Sequence, residues 1–285
     1  MEICRTVPEM RAFVRAAGNK GPVGFVPTMG YFHAGHLALM RRARQECGTV
    51  VVSIYVNPLQ FGPREDFAAY PRDPERDLAL AKEAGVDAVF MPSDAEMYPP
   101  GYATYVEVEG LTDKLCGRSR PGHFRGVATV VTKLFNIVRP DRAYFGEKDF
   151  QQAVVIRRLA ADLNLDLEIV TVPTVRESDG LAMSSRNVYL TPAERKAARV
   201  LYRSLLRARD AILAGERDPA RVSSLMAESI CAEPLARLDY AEVYALPWLS
   251  DVERLEGEVL LAVAASFGRA RLIDNLVVKI PAAKE

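Results

Sequence analysis

Strand-like and helix-like segments alternate along residues 1–173, and this alternation limits the fold more than any other feature of the chain. Short runs rich in β-branched residues, typical of strands buried on both faces, lie at residues 23–26, 50–56, 86–91 and 167–172. Between them, helices are predicted after the histidines at residues 37–46 and at residues 74–84, which open with proline and acidic residues. Apolar residues at three- and four-residue spacing predict further helices at residues 124–138 and 150–163. Strands that alternate with helices of this length form parallel sheets. We therefore predict an α/β domain over residues 1–175, with a further exposed strand at residues 105–109.

The pattern changes after about residue 187, where helices are followed by consecutive strands. Thr191, Pro192 and Glu194 form a capped helix start, which predicts a long helix to about residue 215. A second helix is predicted at residues 219–231, and strands at residues 240–244, 258–264 and 270–279. Helices followed by neighbouring strands indicate a small α+β domain with an antiparallel sheet. We assign it to residues 176–285.

Composition excludes several classes of function. Basic and acidic residues number 37 each, so net charge gives no reason to expect a nucleic-acid partner. The four cysteines form no C-x-x-C pair, which argues against a zinc site and against a disulfide framework. Residues 1–30 lack a signal peptide's apolar core, and the longest apolar runs are too short to span a bilayer. We expect a cytoplasmic protein with no membrane or nucleic-acid partner.

Two histidines, His33 and His36, lie in the run P-T-M-G-Y-F-H-A-G-H at residues 27–36. The run connects a predicted strand to a predicted helix, and a helix N-terminus with unpaired N–H groups can hold phosphate. The two imidazoles add further donors as negative charge builds. A surface turn or a pair of metal ligands is the alternative, but the run offers no third ligand, and we assign no metal-ligating residue. The chain has neither a P-loop nor a G-x-G-x-x-G turn, so nucleotide binding must use this histidine route.

Two further segments could bind phosphate. Lys148 lies in the turn G-E-K-D at residues 146–149 and could neutralise phosphate charge, although a solvated turn is an equally good interpretation. Ser184, Ser185 and Arg186 follow the last strand of the predicted parallel region and offer several donors, with a serine-rich loop as the alternative. Parallel sheets bind ligands at the carboxyl ends of their strands, which favours the functional interpretation.

Neutral amides and one more histidine complete the candidates. Gln60 follows the second predicted strand, and Gln152 lies in the first turn of a predicted helix. Each could donate to a carboxylate or accept from a hydroxyl, but taken singly each is also an ordinary surface glutamine. His123, in R-P-G-H-F-R-G at residues 120–126, belongs either to a loop near a site or to the structural framework.

Five motifs occur in this order: P-T-M-G-x-x-H-x-G-H, N-P-x-Q-F-G, R-P-G-H-F, G-E-K-D-F-Q-Q and D-G-L-A-M-S-S-R-N. Together with R-A-R-L-I-D-N near the C-terminus, they closely resemble the pantothenate synthetase family (pantoate–β-alanine ligases, AMP-forming). That family belongs to the nucleotidylyltransferases that carry the H-x-G-H signature. The resemblance covers essentially the whole chain. It implies a Rossmann-like parallel sheet with a smaller C-terminal α+β lid domain, usually in a homodimer.

The resemblance also implies a reaction. Pantoate and ATP form pantoyl adenylate and pyrophosphate, and β-alanine then displaces AMP to give pantothenate, with Mg²⁺ accompanying the ATP. By position, Gln60 and Gln152 match the pantoate-binding glutamines, Gln60 is also placed to meet β-alanine, and His36 matches the proton donor. The implied catalytic residues are His33, His36, Lys148, Ser184, Ser185 and Arg186. The implied ATP contacts are Met29, Gly30, Tyr31, Phe32, His33, Ala34, Gly35, His36, Gly146, Glu147, Lys148, Asp149, Val175, Met183, Ser184, Ser185 and Arg186.

The sequence differs from the expected pattern at two places, and two alternative functions remain. The lysine-bearing K-M-S-K-S of the wider group is replaced here by L-A-M-S-S-R at residues 181–186, a form that pantothenate synthetases show. Tyr31 and Phe32 are bulkier than the pair expected at this turn, which could alter its packing. A nucleotidylyltransferase that releases a stable nucleotide conjugate is the nearest alternative function. A catalytically silent nucleotide- or RNA-binding module is the other.

Overall fold

The structure, a computed structural model, describes residues 1–18, 20–63 and 65–281. The chain divides into two compact units. The N-terminal unit consists of residues 1–147 and 155–173, and the C-terminal unit of residues 148–154 and 174–285. The short segment 148–154 therefore groups with the C-terminal unit, whereas the division after residue 175 stays a prediction.

The N-terminal unit alternates strands with helices, as the sequence predicts. Its strands are β1 (Glu2–Cys4), β2 (Val23–Thr28), β3 (Thr49–Ile54), β4 (Ala88–Phe90), β5 (Arg142–Gly146) and β6 (Glu168–Val172). Its helices are α1 (Val7–Ala17), α2 (Ala34–Glu46), α3 (Pro74–Glu83), α4 (Asp94–Met97), α5 (Leu115–Ser119), α6 (His123–Val138) and, from Val155 onward, α7 (Phe150–Asp162). Pro58–Gln60 and Glu147–Asp149 form short 3-10 turns.

Six strands form one parallel sheet in the order β1-β4-β3-β2-β5-β6. The strands β3 and β4 are almost wholly buried, which matches their continuous apolar sequence. One apolar cluster joins this sheet to the helices that flank it, including Val26, Met40 and Val89. The predicted α/β class with a parallel sheet is therefore confirmed.

The strand order reverses beside β2, because β3 and β4 lie on one side of it and β5 and β6 on the other. Parallel sheets bind ligands outside the carboxyl ends of their strands at such a switch point. The histidine run begins directly after β2, and the turn that contains Gln60 follows β3. The segment from Gly146 begins at the end of β5. The topology thus places the histidine run, the Gln60 turn and the first residues of the G-E-K-D turn, Gly146 and Glu147, at the edge of the sheet where a ligand is expected.

The C-terminal unit contains a three-stranded antiparallel sheet and three helices. Its elements are α8 (Pro192–Ala197), α9 (Val200–Leu213), α10 (Pro219–Cys231), β7 (Arg237–Ala245), β8 (Glu258–Phe267) and β9 (Ala270–Lys279), with a 3-10 turn at Ser185–Tyr189. The strand order is β7-β8-β9, and one face of the sheet packs with α9 and α10 around a core that includes Leu205, Met226 and Leu261. The predicted small antiparallel domain is confirmed.

The single long helix predicted from Thr191 to about residue 215 is wrong in one respect, because it is two helices. The capping box of Thr191 and Glu194 begins α8 as predicted. At residues 198–199 the chain makes a tighter turn, in which the Leu201 N–H donates to the Ala198 carbonyl at 3.2 Å. Ala198 and Leu201 are both buried in the core. Tertiary packing, rather than a proline or glycine, therefore breaks the helix.

The exposed strand predicted at residues 105–109 does not form. Within the described residues the segment pairs with no strand, and the Val106 N–H donates instead to the Thr129 hydroxyl of α6 at 3.0 Å. The Arg125 guanidinium stacks on the Tyr105 ring, 4.1 Å from its centroid. The alternation of side chains here reflects an extended segment packed on a helix. Among the described helices, none combines the length and the apolar character that a bilayer crossing needs.

Candidate active site

A buried carboxylate shapes the turn that carries the two histidines in the N-terminal unit. Asp77, on α3, accepts the N–H of Tyr31 at 2.6 Å and that of Phe32 at 2.7 Å. Tyr31 has a φ of 52°, a left-handed conformation that is rare for residues other than glycine. Burial raises the pKa of Asp77, although the two amides and Arg76 favour its charged form. Asp77 therefore holds the turn in a conformation that its own residues would not adopt readily.

The bulky pair Tyr31 and Phe32 fits this turn in two different ways. The Phe32 ring is buried in the core between sheet and helices, 5.4 Å from the His36 ring centroid. The Tyr31 ring lies under the Arg76 guanidinium at 5.4 Å, and Arg76 also donates to the Phe32 carbonyl. The Phe32 ring therefore packs into the core and the Tyr31 ring packs against α3, so the turn accommodates both bulky side chains.

The two histidines cap the helix that they begin. His33 precedes α2, and its Nδ1 accepts the Gly35 N–H at 3.1 Å. His36 Nδ1 accepts the His33 N–H at 3.3 Å, which completes a reciprocal capping box. A neutral imidazole that accepts at Nδ1 carries its proton on Nε2. Both rings are half-buried and 4.1 Å apart, so each can offer a ring N–H to an oxygen of a ligand.

Five main-chain N–H groups at this turn, which the sequence analysis expected to be unpaired, have partners within the protein. The Gly30 N–H donates to the Thr28 hydroxyl, and the amides of residues 31, 32, 33 and 35 bond to Asp77 or to the histidine rings. Gly35 is required for this arrangement, because a Cβ there would lie 2.8 Å from His33 Cε1. The bonded amides are therefore used within the turn, and the imidazole N–H groups remain candidate donors for a ligand.

Gln60 is buried with its amide orientation fixed by a chain of hydrogen bonds. The Leu59 N–H donates to Asn57 Oδ1, which therefore is the acceptor end of that side chain. Asn57 Nδ2 then donates to Gln60 Oε1 at 3.1 Å, and the Tyr98 hydroxyl also donates to Asn57 Oδ1 at 2.7 Å. Gln60 Nε2 is consequently the donor end, and it lies 3.3 Å from the sulfur of Met29. Gln60 is set to donate to an acceptor such as a carboxylate.

A cavity of about 320 Å³ adjoins the histidine turn, a size at the lower end for small-molecule sites. It lies beyond the carboxyl ends of β3 and β4. Its lining includes Met29, Tyr31 and Asp77 from the turn and its support. Within the N-terminal unit, the cavity thus borders Met29, Gly30 and Tyr31 of the turn, and Gln60 reaches the same turn through its contact with Met29.

In the C-terminal unit, Lys148 is held through its main chain. Asn275, on β9, donates its Nδ2 hydrogen to the Lys148 carbonyl at 2.8 Å. Lys148 Nζ lies 3.7 Å from Asp149 Oδ1, and its side chain is largely buried. Gln152 follows in the first turn of α7 and is half-buried.

The serine-rich segment of the same unit folds as a compact loop. The Met183 N–H donates to the Val175 carbonyl at 3.0 Å, which ties the two predicted nucleotide contacts together. Ser184 caps the 3-10 turn, since its Oγ accepts the Arg186 N–H at 3.2 Å. A hydroxyl that accepts from the main chain still has its own hydrogen to donate. Ser185 is buried and Arg186 half-buried.

A buried ion pair supports this loop. Arg176 binds Asp274 with both guanidinium arms, at 2.7 and 2.9 Å, and stacks on Tyr202 at 3.9 Å. It also donates to the carbonyls of Gly180 and Asn275. Burial raises the pKa of Asp274, against the opposing effect of Arg176 and Lys148. The Asp274-Asn275 pair of β9 therefore holds both Lys148 and the loop that ends at Arg186.

The sequence analysis did not identify the residues that hold the candidate site residues and their loops in place through hydrogen bonds. They are Asn57, Asp77, Arg176, Asp274 and Asn275. Asp274 and Asn275 stand in the C-terminal motif, and Asn57 in N-P-x-Q-F-G, so their presence was visible although their role was not. Asp77 had no signal beyond an acidic residue in the first turn of a helix.

Comparisons with known proteins identify the family of this chain. The family model of pantoate-beta-alanine ligase matches residues 2–277. A pantothenate synthetase of Pelotomaculum thermopropionicum is 63% identical over 97% of this chain and 99% of that protein. The crystal structure of pantothenate synthetase from Thermus thermophilus is 53% identical, with a TM-score of 0.92 over 97% of this chain and 99% of that chain. Pantoate-beta-alanine ligase from Francisella tularensis, in complex with β-γ ATP and β-alanine, is 33% identical, with a TM-score of 0.81 over 97% of each chain. The chain belongs to the pantoate-beta-alanine ligase family.

Proposed function

We propose that this protein condenses pantoate with β-alanine at the expense of ATP, yielding pantothenate, AMP and pyrophosphate in pantothenate biosynthesis. The observation that carries the proposal is the paired orientation of His33 and His36, whose Nδ1 atoms accept main-chain N–H groups. Both rings thereby carry their hydrogen on Nε2, as donors to a phosphate oxygen. A family relative has been crystallised with an ATP compound and β-alanine, which supports the same substrates here.

In the first step, a pantoate carboxylate oxygen attacks the α-phosphorus of ATP. A P–O bond forms to the acid, the bond to the β-phosphate oxygen breaks, and pyrophosphate leaves with its electron pair. Negative charge grows on the oxygens of the leaving group, where preorganised donors stabilise the transition state. We assign this role to the ring N–H groups of His33 and His36, to Lys148, and to Ser184, Ser185 and Arg186. The proton-donor role that the resemblance implies for His36 is here a hydrogen bond from its Nε2–H to a phosphate oxygen, with the proton kept on the ring.

In the second step, the amine of β-alanine attacks the carbonyl carbon of pantoyl adenylate. The C–N bond forms, the bond from the carbonyl carbon to the phosphate oxygen breaks, AMP leaves, and the amine releases its proton. An acyl phosphate is already activated, so the protein chiefly holds the amine close to it. Water must be kept away from the adenylate.

Gln60 and Gln152 are the proposed contacts of pantoate, and Gln60 is also the proposed contact of β-alanine. The donor end of Gln60 suits a carboxylate or hydroxyl oxygen of the acid. The main-chain and side-chain groups of Met29–Phe32, Ala34, Gly35, Gly146, Glu147, Asp149, Val175 and Met183 complete the proposed ATP contacts.

We further propose that Mg²⁺ enters with ATP, that the protein forms a homodimer, and that it works in the cytoplasm. Within residues 1–18, 20–63 and 65–281, no cluster of three or more histidine, cysteine or acidic side chains is placed to hold a metal ion. A magnesium ion that is carried by the phosphates of ATP does not require such a cluster, because Mg²⁺ keeps several waters and needs few protein ligands. When bound, the ion would neutralise phosphate charge.

The test measures AMP and pyrophosphate release from ATP and Mg²⁺, with pantoate and β-alanine added singly and together. We expect AMP only when both are present. Pyrophosphate release without an amine, with accumulation of a stable nucleotide conjugate, would instead identify a nucleotidylyltransferase. Failure to turn over ATP under every condition would contradict the proposal and favour a binding module.

Two substitutions of His36 separate its ring donor from its capping role. Asparagine can keep the acceptor at the Nδ1 position for the His33 N–H but has no group at Nε2. Glutamine can place a donor near the Nε2 position but cannot maintain the cap in the same way. We expect His36→Asn to keep its melting temperature and to lose about 10²–10³-fold in kcat, as other enzymes do when one transition-state donor is removed. Equal kcat values for His36→Asn and the parent protein would refute the assigned role.

A further inference from the structure

The R-P-G-H-F-R-G motif at residues 120–126 has no role in the reaction as described so far. In the structure, Arg120 ends α5 and His123 begins α6, while Gly126 lies one turn further along α6. All three approach the 3-10 turn Pro58–Gln60. The motif therefore surrounds the main chain of Gln60, the proposed contact of pantoate.

His123 is hydrogen-bonded to the Gln60 carbonyl, and its partners determine which ring nitrogen carries the proton. Its Nδ1 lies 2.9 Å from the Gln60 oxygen, and its Nε2 lies 3.0 Å from Arg120 Nη1. A guanidinium only donates hydrogen bonds, so His123 Nε2 is the acceptor of that pair. The proton of the neutral ring is then on Nδ1 and is donated to the Gln60 carbonyl. Arg120 thus determines which nitrogen of His123 can bind Gln60.

Arg120 itself is fixed by an acidic partner. Its Nε and Nη2 donate to the two carboxylate oxygens of Glu65, at 2.8 and 2.6 Å. Although burial opposes it, this guanidinium lowers the pKa of Glu65 and keeps it charged. Arg120 Nη2 also donates to the Gln60 carbonyl at 3.3 Å. One carbonyl oxygen therefore receives hydrogen bonds from two members of the motif.

Gly126 allows the helix to touch the turn directly. A Cβ at this position would lie 2.2 Å from the Leu59 oxygen and 2.6 Å from the Gln60 nitrogen. The Gly126 carbonyl also accepts from Asn57 Nδ2, the same atom that donates to Gln60 Oε1. The motif thus contacts the main chain of Gln60 directly and its side chain through Asn57.

We propose that Arg120, His123 and Gly126 are positioning residues for Gln60. They fix the main chain of the turn so that the donor end of the Gln60 amide meets the acid substrate, an inference that rests on the role proposed for Gln60 above. The motif acts through Gln60 and not on ATP. Its loss should therefore weaken the use of pantoate selectively.

The test compares two substitutions of His123 in steady-state AMP formation. His123→Phe keeps the ring and removes both hydrogen bonds. His123→Asn can keep a donor near the Nδ1 position. For His123→Phe we expect KM for pantoate to rise about tenfold, which corresponds to roughly 1.4 kcal/mol and to one lost hydrogen bond, with KM for ATP changed less than about twofold. His123→Asn should recover most of that loss, and Asn136→Ala, at the far end of α6, should match the parent protein.

A general loosening of the fold would raise both KM values together and would not be rescued by His123→Asn, so that result would overturn the proposal. A double substitution gives the second check. When Gln60→Ala has already removed the side chain, His123→Phe should cause no further loss in kcat/KM for pantoate. Additive losses would show that His123 acts elsewhere.

The outcomes also separate this inference from the proposed function. If Gln60→Ala raises KM for pantoate but His123→Phe does not, the positioning role alone is wrong. If Gln60→Ala leaves KM for pantoate unchanged, the substrate contact is wrong, and any effect of His123→Phe then overturns positioning through Gln60 as well.

Discussion

Removal of the charge on Asp274 should destabilise the C-terminal unit by about 3 kcal/mol. The carboxylate is almost wholly buried, and the bidentate pair with Arg176 has bonds of 2.7 and 2.9 Å. Breaking a buried pair by changing one partner costs about 3–5 kcal/mol, because the other charge stays buried without compensation. Asp274→Asn keeps the side-chain volume and one acceptor oxygen, and Arg176 still donates to the carbonyls of Gly180 and Asn275. The lower end of that range therefore applies.

The same unit contains a matched control pair on its surface. Arg195 binds Asp179 with the same two-armed geometry, at 2.9 and 3.0 Å, but both side chains are about one-third exposed. Exposed pairs contribute about 0–1 kcal/mol, so Asp179→Asn should cost no more than about 1 kcal/mol. Urea unfolding followed by the fluorescence of Trp248, the single tryptophan, reports on this unit. Equal losses in the two variants would refute the argument that burial determines the cost.

Three further predictions test other parts of the molecule. In Asp77→Asn, the side-chain NH₂ group would face one of the two main-chain N–H groups of the histidine turn that Asp77 now accepts. We therefore expect kcat/KM for ATP, measured by AMP formation, to fall about tenfold or more. An unchanged value would contradict the role of Asp77. Gly126→Ala should lower the free energy of unfolding by about 1–3 kcal/mol in urea titrations, because the new methyl group would overlap the Leu59 carbonyl. Burial raises the pKa of the Cys4 thiol to about 11, so at pH 8 iodoacetamide should label the exposed Cys231 well before Cys4, as followed by mass spectrometry.

The fold could be predicted from the sequence where local signals and tertiary packing agree. The strands β2 and β3 are continuous apolar runs, and β9 and α10 have the predicted bounds. The errors occur where tertiary contacts override local pattern. Residues 105–109 alternate like a strand but pack on α6, and no proline or glycine marks the break between α8 and α9.

The candidate site could be predicted as a set of residues but not as a pattern of donors. The run from Met29 to His36 was visible as a phosphate-binding turn, yet the sequence could not show that its amides bond internally. Two of these amides bond to Asp77, which lies on a different helix, 41 positions after His36. The same is true of Lys148, whose main chain is held by Asn275 from the far end of the chain. Contacts of such separation leave no local signal.

In the N-terminal unit, main-chain amides determine which side-chain atoms can donate to a ligand. A main-chain N–H only donates, so the atom that it meets must accept, and the opposite end of the same side chain becomes the donor. This rule orients His33 and His36 directly, and it orients Gln60 through Asn57. A protonated imidazole could not accept at Nδ1, so the fold of the turn itself favours the neutral rings that carry their hydrogen on Nε2. The donors that we propose for a nucleotide are thus set when the turn folds, before any substrate arrives, which is the preorganisation that stabilisation of a transition state requires.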